Sequence, residues 1–366
     1  MRLTSGTSQA ALSLGAAAIL LVSLGWLGID RCDAQRGGTG RVLRQQVIWS
    51  VLAAGVATAA TVPSYRAFSR WSYLLFLVAV VLLVFVLFSP PIHGARRWIR
   101  LGPVGFQPSE FAKVAYVLAL ARYLAGRAPC RRFCVVVVAL GITAVPLVLI
   151  LEEPDLGTSL LLVPVLVVML AVAGMRRLGF VWLALGGMAL LPLLWVGMSD
   201  RQKGRVFALL NQPGPEDRVS ADAYQLHQAK QMLALGGVWG SYWSGLSAEN
   251  PAAYHLPEAR GDFIFCVVGE RFGLVGMGLI LALYAVLVTQ GFGIAAATDE
   301  PFGRLAAAGL TALLATQVLV NTGMTLGLLP ITGVPLPLVS YGGSGMVVYG
   351  LVIGLLVNIS SRPARG

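Results

Sequence analysis

One aspartate, Asp262, stands between a long polar segment and the apolar run that begins at Phe263. An aspartate at this boundary can cap a helix by accepting a backbone N–H, and the positive end of the helix dipole keeps it ionised. An ionised carboxylate under a long polar loop can also take a proton from a substrate hydroxyl. Position alone leaves capping and catalysis both open, and Asp262 is the best general-base candidate in the sequence.

A second candidate is the stretch PSEFAK at 108–113. Its proline suits a first helical turn, and its acid favours the positive end of a helix. Glu110 and Lys113 lie three residues apart, so a helix places them on one face where they can pair. Charged side chains within a membrane are costly and usually line a polar pathway. The pair therefore indicates either a polar cavity or a purely structural ion pair.

Two basic clusters could bind an anion. Arg97 and Arg100 belong to a group of three arginines around Trp98, and Arg205 belongs to a second group near the start of a long polar segment. Guanidinium groups bind phosphate in a forked geometry, and an indole ring adds cation–π contact. The clusters predict binding of an anionic, diphosphate-bearing lipid, and general attraction to lipid headgroups is the alternative.

Prolines and glycines in segment 327–345 break any helix there. Irregular backbone at membrane depth must be buried in protein or line a cavity, so this segment is either a structural turn or the wall of a site. Glu152, Glu153 and Asp155 crowd one short loop, where a divalent cation could bind, although a solvated acidic turn is favoured.

Further along the chain, Glu270 and Arg271 form either a buried pair or a second polar layer. His93, His227 and His255 are too scattered for a zinc site.

These residues need elements that fit a membrane. Of the 366 residues, 57% are hydrophobic and 12% are charged, against roughly 45–50% and about 25% in soluble proteins. The mean hydropathy is +0.78. The composition predicts an all-α polytopic membrane protein. The net charge of +11 then reflects basic loops at the membrane rather than nucleic-acid binding.

A bilayer core about 30 Å thick requires about 20 apolar residues per helix. The sequence predicts one domain, 1–366, with a long extracytoplasmic loop at 199–262 between the seventh and eighth spans. Predicted spans are 10–29, 45–63, 71–90, 109–125, 133–151, 158–174, 177–198, 263–291, 304–327 and 339–358. The fourth is the least apolar, and an interfacial helix with nine true spans is the alternative. Segments on the side of the termini hold twelve basic residues against seven in the opposite short loops, which predicts cytoplasmic termini and an outward-facing site.

Four motifs resemble the SEDS family (shape, elongation, division and sporulation), in family order and over nearly the whole chain. Two stretches, 201–211 and 329–335, are more similar to the RodA branch of the family than to the FtsW branch. This sequence departs from the family pattern at Gly261, where threonine is usual, at Arg271, where glutamate is common, and at Gly345, where serine is usual. The motifs are RW at 97–98, QPSEFAK at 107–113, HLPEARGDFIF at 255–265 and PLPLVSYGGS at 335–344.

The resemblance implies a peptidoglycan glycosyltransferase that polymerises lipid II at the outer face of the bacterial plasma membrane during cell elongation. Its implied partners are a class B penicillin-binding transpeptidase and other membrane proteins of the elongation complex. A divalent cation, Mg²⁺ or Mn²⁺, is an expected assistant whose site the sequence leaves open. A lipid II flippase, an FtsW-type division polymerase and a scaffold for the transpeptidase are the alternatives.

The essential aspartate of the family corresponds to Asp262. It is expected to deprotonate the 4-hydroxyl of the acceptor in an inverting transfer that releases undecaprenyl diphosphate. The residues expected to bind substrate or support the reaction are Glu110, Lys113, Arg97, Arg100, Arg205, Glu258, Ser340 and Ser344.

Overall fold

The computed structural model describes residues 2–35, 39–90, 96–101, 104–127, 129–130, 132–210, 221–245 and 256–362. This part of the chain forms thirteen helices and one two-stranded hairpin. The helices are α1 (Arg2–Gln35), α2 (Arg41–Thr61), α3 (Tyr65–Leu87), α4 (Pro108–Ala125), α5 (Phe133–Glu152), α6 (Leu156–Val172), α7 (Arg177–Gly197), α8 (Asp200–Leu210), α9 (Ala221–Gly236), α10 (Ser241–Ser244), α11 (Ile264–Ala297), α12 (Pro301–Thr325) and α13 (Gly343–Ser361).

The predicted all-α membrane fold is confirmed. Each of the ten predicted spans corresponds to one helix, α1–α7 or α11–α13. Eight of these helices in the described chain are long and apolar enough to cross a membrane, and α6 is apolar but shorter. The chain is a multi-pass membrane protein. The predicted long loop contains helices α8, α9 and α10, while its segments 211–220 and 246–255, including His255, lie outside the described residues, as does His93.

Helix α4 forms the centre of the bundle. Nearly all of its side chains are buried, and it packs against α3, α5, α12 and α13. Close approach depends on small residues: a Cβ added at Gly309 of α12 would lie 2.7 Å from a methyl carbon of Val117. Helix α4 is not among the eight helices that are long and apolar enough to cross a membrane. Its enclosure by other helices explains how the charged pair Glu110 and Lys113 is tolerated inside the bundle.

Helix α13 packs against α2 through glycines spaced four residues apart. A Cβ at Gly350 would lie 2.5 Å from the carbonyl oxygen of Ala53, and one at Gly354 would lie 2.3 Å from that of Ala57. Only glycine permits these backbone contacts, which are the usual means of close helix association in membranes. The contact fixes the position of α13, whose first turn adjoins the candidate site.

Three details differ from the sequence prediction. The tenth span was predicted to begin at 339, but α13 begins at Gly343, because the backbone N–H of Tyr341 donates to the carbonyl oxygen of Arg260 (2.8 Å) rather than within a helix. An antiparallel hairpin, β1 (Ile99–Leu101) and β2 (Val104–Phe106), was not predicted. Helix α11 is broken at Gly273, whose φ of 65° favours glycine.

Candidate active site

Asp262 lies in a turn that precedes α11. Phe263, not Asp262, occupies the N-cap position of that helix, and no side chain caps it. The capping interpretation is therefore wrong. The main-chain carbonyl of Asp262 accepts a hydrogen bond from Nδ2 of Asn321 on α12 (2.8 Å). Gly333 lies close to the carboxyl group: a Cβ added there would be 3.4 Å from Oδ2 of Asp262.

Burial is the largest of the effects that raise the pKa of the Asp262 carboxyl to about 7; the negative charges of Glu258 and Asp155 add to it, while Arg205 and Arg97 oppose it. The side chain keeps some solvent exposure although protein surrounds it closely. A carboxyl group that titrates near neutral pH suits general-base catalysis. Three of the four charges, Asp155, Arg205 and Arg97, come from distant parts of the sequence, so the fold brings them near Asp262.

Arg97 holds the turn between α5 and α6. Its Nε donates to the carbonyl oxygen of Glu153 (3.0 Å), and its Nη2 donates to that of Pro154. Its Nη1 lies 3.8 Å from Oδ2 of Asp155. Asp155 in turn caps α6 through the backbone N–H (3.2 Å) and hydroxyl (3.0 Å) of Thr158.

The favoured interpretation of a solvated acidic turn is wrong for two of its three acids. Glu153 and Asp155 are buried, and only Glu152 is exposed. Burial raises the pKa of Glu153 to about 8, with a smaller contribution from the Asp155 charge, while Arg97 lowers it. Glu153 is therefore largely neutral at pH 7. This burial was not predictable from the sequence, because it arises from the packing of segments that are distant in the chain.

The two predicted serines form structural hydrogen bonds. The Ser340 hydroxyl donates to the carbonyl oxygen of Gly261 (2.6 Å) and accepts from the N–H of Leu336 (2.7 Å). The Ser344 hydroxyl accepts from the N–H of Gln107 (3.1 Å), at the start of α4. Ser340 thus binds the irregular segment between α12 and α13 (residues 326–342) to the turn that carries Asp262. Ser344 binds α13 to the start of α4.

Two more predicted residues lie at the surface. Glu258 is exposed, with a φ of 53°, and begins the turn that leads to Asp262. Arg100 is exposed on β1, and it is not among the charges that shift the pKa of Asp262. Glu258 is therefore part of the electrostatic surroundings of Asp262, whereas Arg100 lies outside them.

Glu110 and Lys113 form the predicted ion pair, with Nζ of Lys113 2.8 Å from Oε1 of Glu110. Both side chains are buried. Nζ of Lys113 also donates to Oε1 of Gln317 (2.7 Å), and Oε2 of Glu110 is buried without a hydrogen-bond partner. The pair is enclosed in protein rather than open to a pathway.

Glu270 and Arg271 do not pair with each other. Glu270 is buried and binds Arg31 of α1 at 3.3 Å. Arg271 donates to the carbonyl oxygen of Leu27 (3.3 Å) and lies over the Tyr242 ring. Of the two alternatives, these contacts support a second polar layer, in which both residues bind partners on other elements.

The described residues contain no group of three histidine, cysteine, aspartate or glutamate side chains placed to hold a metal ion. The carboxylates of Glu258 and Asp155 raise the pKa of Asp262, and the arginines Arg205 and Arg97 oppose them. A divalent cation held by the protein alone therefore does not fit these residues.

Sequence reasoning missed two residues, Gln317 and Asn321. Both are buried in α12, one helical turn apart. An amide pair at this spacing in an apolar helix was the available signal, since buried amides need hydrogen-bond partners.

The fold and the site define a polytopic helical membrane protein with a carboxyl group, Asp262, in the turn before one of its long helices. A profile of the FtsW/RodA/SpoVE family, described as "Cell cycle protein", matches residues 12–364. The chain belongs to this family, so the predicted SEDS membership is confirmed.

Two sequence relatives support this assignment. The chain is 39% identical over 301 residues to peptidoglycan glycosyltransferase MrdB of Escherichia coli (strain K12). The aligned region covers 81% of this chain and 80% of that protein. It is 35% identical over 327 residues to probable peptidoglycan glycosyltransferase FtsW of Geobacter sulfurreducens, covering 87% and 85%. The higher identity to MrdB, a RodA protein, favours the predicted RodA-like branch.

Two solved structures share the fold. One belongs to a peptidoglycan synthase complex that coordinates polymerization and crosslinking, with a TM-score of 0.80, 29% identity and coverage of 95% of this chain and 96% of that chain. The other is an aspartate-to-alanine mutant of the Rod shape determining protein RodA from Thermus thermophilus, with a TM-score of 0.70, 29% identity and the same coverage.

Proposed function

We propose that this chain is a peptidoglycan glycosyltransferase that polymerises lipid II into glycan strands for cell elongation. The observation that carries the proposal is the place of Asp262 in the turn before α11, held by Asn321 and close enough to Arg97 and Arg205 for their charges to act on its carboxyl group. Membership of a family whose relatives are named peptidoglycan glycosyltransferases supports the same activity.

Asp262 acts as the general base in this mechanism. Its carboxylate takes the proton from the 4-hydroxyl of the acceptor GlcNAc while that oxygen attacks C1 of the donor MurNAc. The bond between C1 and the diphosphate oxygen breaks, and its electron pair leaves with undecaprenyl diphosphate. Attack opposite the leaving group inverts the configuration at C1.

One carboxylate is sufficient because of the leaving group. Glycosidases use two carboxyl groups, one of which protonates a poorly leaving oxygen. A diphosphate leaves without protonation, but its developing charge must be stabilised by fixed positive groups. Arg97 and Arg205, which act electrostatically on Asp262, are suited to this role. Arg100 and Glu258, which are more exposed, are suited to contacts with the rest of the substrate.

A divalent cation remains part of the proposal only as a group carried by the substrate. The diphosphate would supply most of its ligands, because the described residues form no metal cluster. When bound, the cation would neutralise leaving-group charge. Loss of rate in EDTA, with recovery on addition of Mg²⁺ or Mn²⁺, is the test.

We also propose a location and partners for the chain. Both termini lie in the cytoplasm and Asp262 faces outward, as the distribution of basic residues favours. A class B penicillin-binding transpeptidase is the main partner, and the similarity to a synthase complex that coordinates polymerization and crosslinking supports it. Other elongation-complex membrane proteins complete the assembly, and nucleic acid has no part.

The decisive experiment uses the purified full-length chain with lipid II, with and without the transpeptidase, and resolves the glycan products on a gel. We expect polymer from the wild type and none from Asp262→Asn. Asp30→Asn, which changes an exposed carboxylate on α1, is the matched control and should keep full activity. Normal polymer from Asp262→Asn would refute the assignment of the base.

A flippase is the rival function. Its polar groups would have to be accessible from each side of the membrane in turn, whereas Glu110 and Lys113 are enclosed. Transfer of fluorescent lipid II between leaflets of liposomes, without polymer formation, would favour the flippase.

A further inference from the structure

We infer that Gln317 and Asn321 of α12 are positioning residues for Asp262, and that the Glu110–Lys113 pair acts on the reaction through Gln317 rather than by contact with substrate. This inference rests on the proposed function. It assigns a role to two amides that the sequence did not single out, and it changes the role expected for Glu110 and Lys113.

The first observation concerns Asn321. Its side-chain Nδ2 carries two N–H donors, and both are used on main-chain carbonyls from different segments. One bond reaches Asp262 (2.8 Å), and the other reaches Val334 in the irregular segment (2.7 Å). A single amide therefore joins the turn that carries the proposed base to the segment that packs over it, where Gly333 approaches the carboxylate.

The second observation concerns Gln317, one turn earlier on the same face of α12. Its Nε2 donates to the carbonyl oxygen of Pro335 (2.8 Å). Its Oε1 accepts from Nζ of Lys113 (2.7 Å) and from the Tyr349 hydroxyl (2.6 Å). Both lone pairs of that oxygen are used, so the orientation of the amide is fixed and its donor must point toward Pro335.

These contacts form one continuous path. It runs from the Glu110–Lys113 pair to Gln317, then through Pro335 and Val334 to Asn321, and ends at the main chain of Asp262. Lys113 is completely buried and Gln317 is completely buried. Neither reaches solvent, so substrate in the outer part of the site meets Asp262 but not the pair.

The consequence is a difference in kinetics. A positioning residue sets the geometry of the reacting groups, so its loss lowers kcat and leaves KM nearly unchanged. Loss of a residue that binds substrate raises KM. We expect a roughly tenfold to hundredfold loss of kcat when both Asn321 hydrogen bonds are removed, since each buried bond is worth about a factor of ten or less.

The first test is Asn321→Leu in the full-length chain, with lipid II as substrate. Leucine has a similar shape and leaves no new buried polar group in the helix. We expect kcat to fall, KM to stay within about threefold, and the pH at which the rate rises to move, because Asp262 changes position. Thr322→Val is the control: Thr322 is buried on the same helix, but its hydroxyl bonds only within α12 (2.8 Å to Val318).

Folding is checked by gel filtration and by the thermal unfolding midpoint. If the leucine variant does not fold, Asn321→Ser replaces it, because serine is smaller and keeps one donor. An intermediate kcat is expected there. Wild-type kcat and pH profile in a folded Asn321→Leu or Asn321→Ser variant would overturn the inference.

The second test is a double-mutant cycle between Lys113→Met and Gln317→Leu. If Lys113 acts through Gln317, the double variant should lose no more kcat than the worse single variant. If Lys113 binds substrate, its own loss raises KM and the two effects multiply, which contradicts the inference. An inactive wild type would instead refute the proposed function, so the two failures are distinguishable.

Discussion

The pH dependence of glycan polymerisation tests the environment of Asp262 directly. Its carboxyl has a pKa of about 7 in the folded protein, and only the ionised form can act as a base. About one molecule in eleven is ionised at pH 6 and about ten in eleven at pH 8, so kcat/KM should rise roughly tenfold between these values. An aspartate with its usual pKa of 3.8 would give a flat profile over this range.

The direction of each shift follows from the neighbouring charges. Asp155 raises the pKa of Asp262, so Asp155→Asn should move the rising limb of the pH–rate profile to lower pH. Arg97 lowers it, so Arg97→Met should move the limb to higher pH. Initial rates of lipid II polymerisation at saturating and limiting substrate measure the limb in each variant. A flat profile between pH 5 and 8, or shifts in the opposite directions, would refute the electrostatic account.

The same pKa makes a prediction for stability. Because the pKa is raised in the folded state, the neutral carboxyl stabilises the fold below about pH 4, and that stabilisation is lost as the pH rises through about 7. Asp262→Asn cannot ionise and should unfold at a higher temperature than the wild type at pH 8. The difference between 3.8 and about 7 sets an upper limit of about 4 kcal/mol. Equal midpoints at pH 8 would contradict this reasoning.

Three further predictions concern glycines. Gly345→Ser should stabilise the protein by about 1 kcal/mol. A Cβ at this position lies 3.8 Å from the unpartnered Oε2 of Glu110, and a serine hydroxyl can donate a hydrogen bond to it. An unfolding midpoint that does not rise would contradict this prediction. Gly354→Leu should destabilise by about 3 kcal/mol or more, because its Cβ would lie 2.3 Å from the Ala57 carbonyl, and an unchanged midpoint would count against the α2–α13 packing. Gly273→Ala should lower the midpoint as well, since its φ of 65° is unfavourable for alanine.

Hydrophobic length predicted the eight helices that are long and apolar enough to cross a membrane, because apolar length is what a bilayer selects. Features set by contacts between distant segments were not predictable in the same way. The buried Asp155 pairs with Arg97 from a distant segment. After the break in α11 at Gly273, the N–H groups of Leu274 and Val275 donate to the carbonyls of Gly237 and Val238 in the turn after α9. The pairing of Glu110 with Lys113 was predictable because both lie on one helix face.

The irregular segment between α12 and α13 shows why polar residues stand in apolar helices of this protein. Where the backbone is not helical, its carbonyl oxygens lack the hydrogen bonds that a helix provides, and water is scarce within a membrane. Side chains on three helices supply the missing donors. They are Gln46 on α2 to the carbonyl of Ser340, Tyr284 on α11 to that of Pro337, and Gln317 and Asn321 on α12 to those of Pro335 and Val334.

Each of these donors would be costly to bury in a continuous helix. Together they hold a segment whose prolines cannot donate hydrogen bonds. Because that segment packs over Asp262 at Gly333, the same hydrogen bonds that make irregular backbone tolerable in the membrane also fix the walls around the proposed base. Polar residues isolated in apolar spans of this chain are therefore best interpreted by which carbonyl they satisfy, before any contact with substrate is assigned to them.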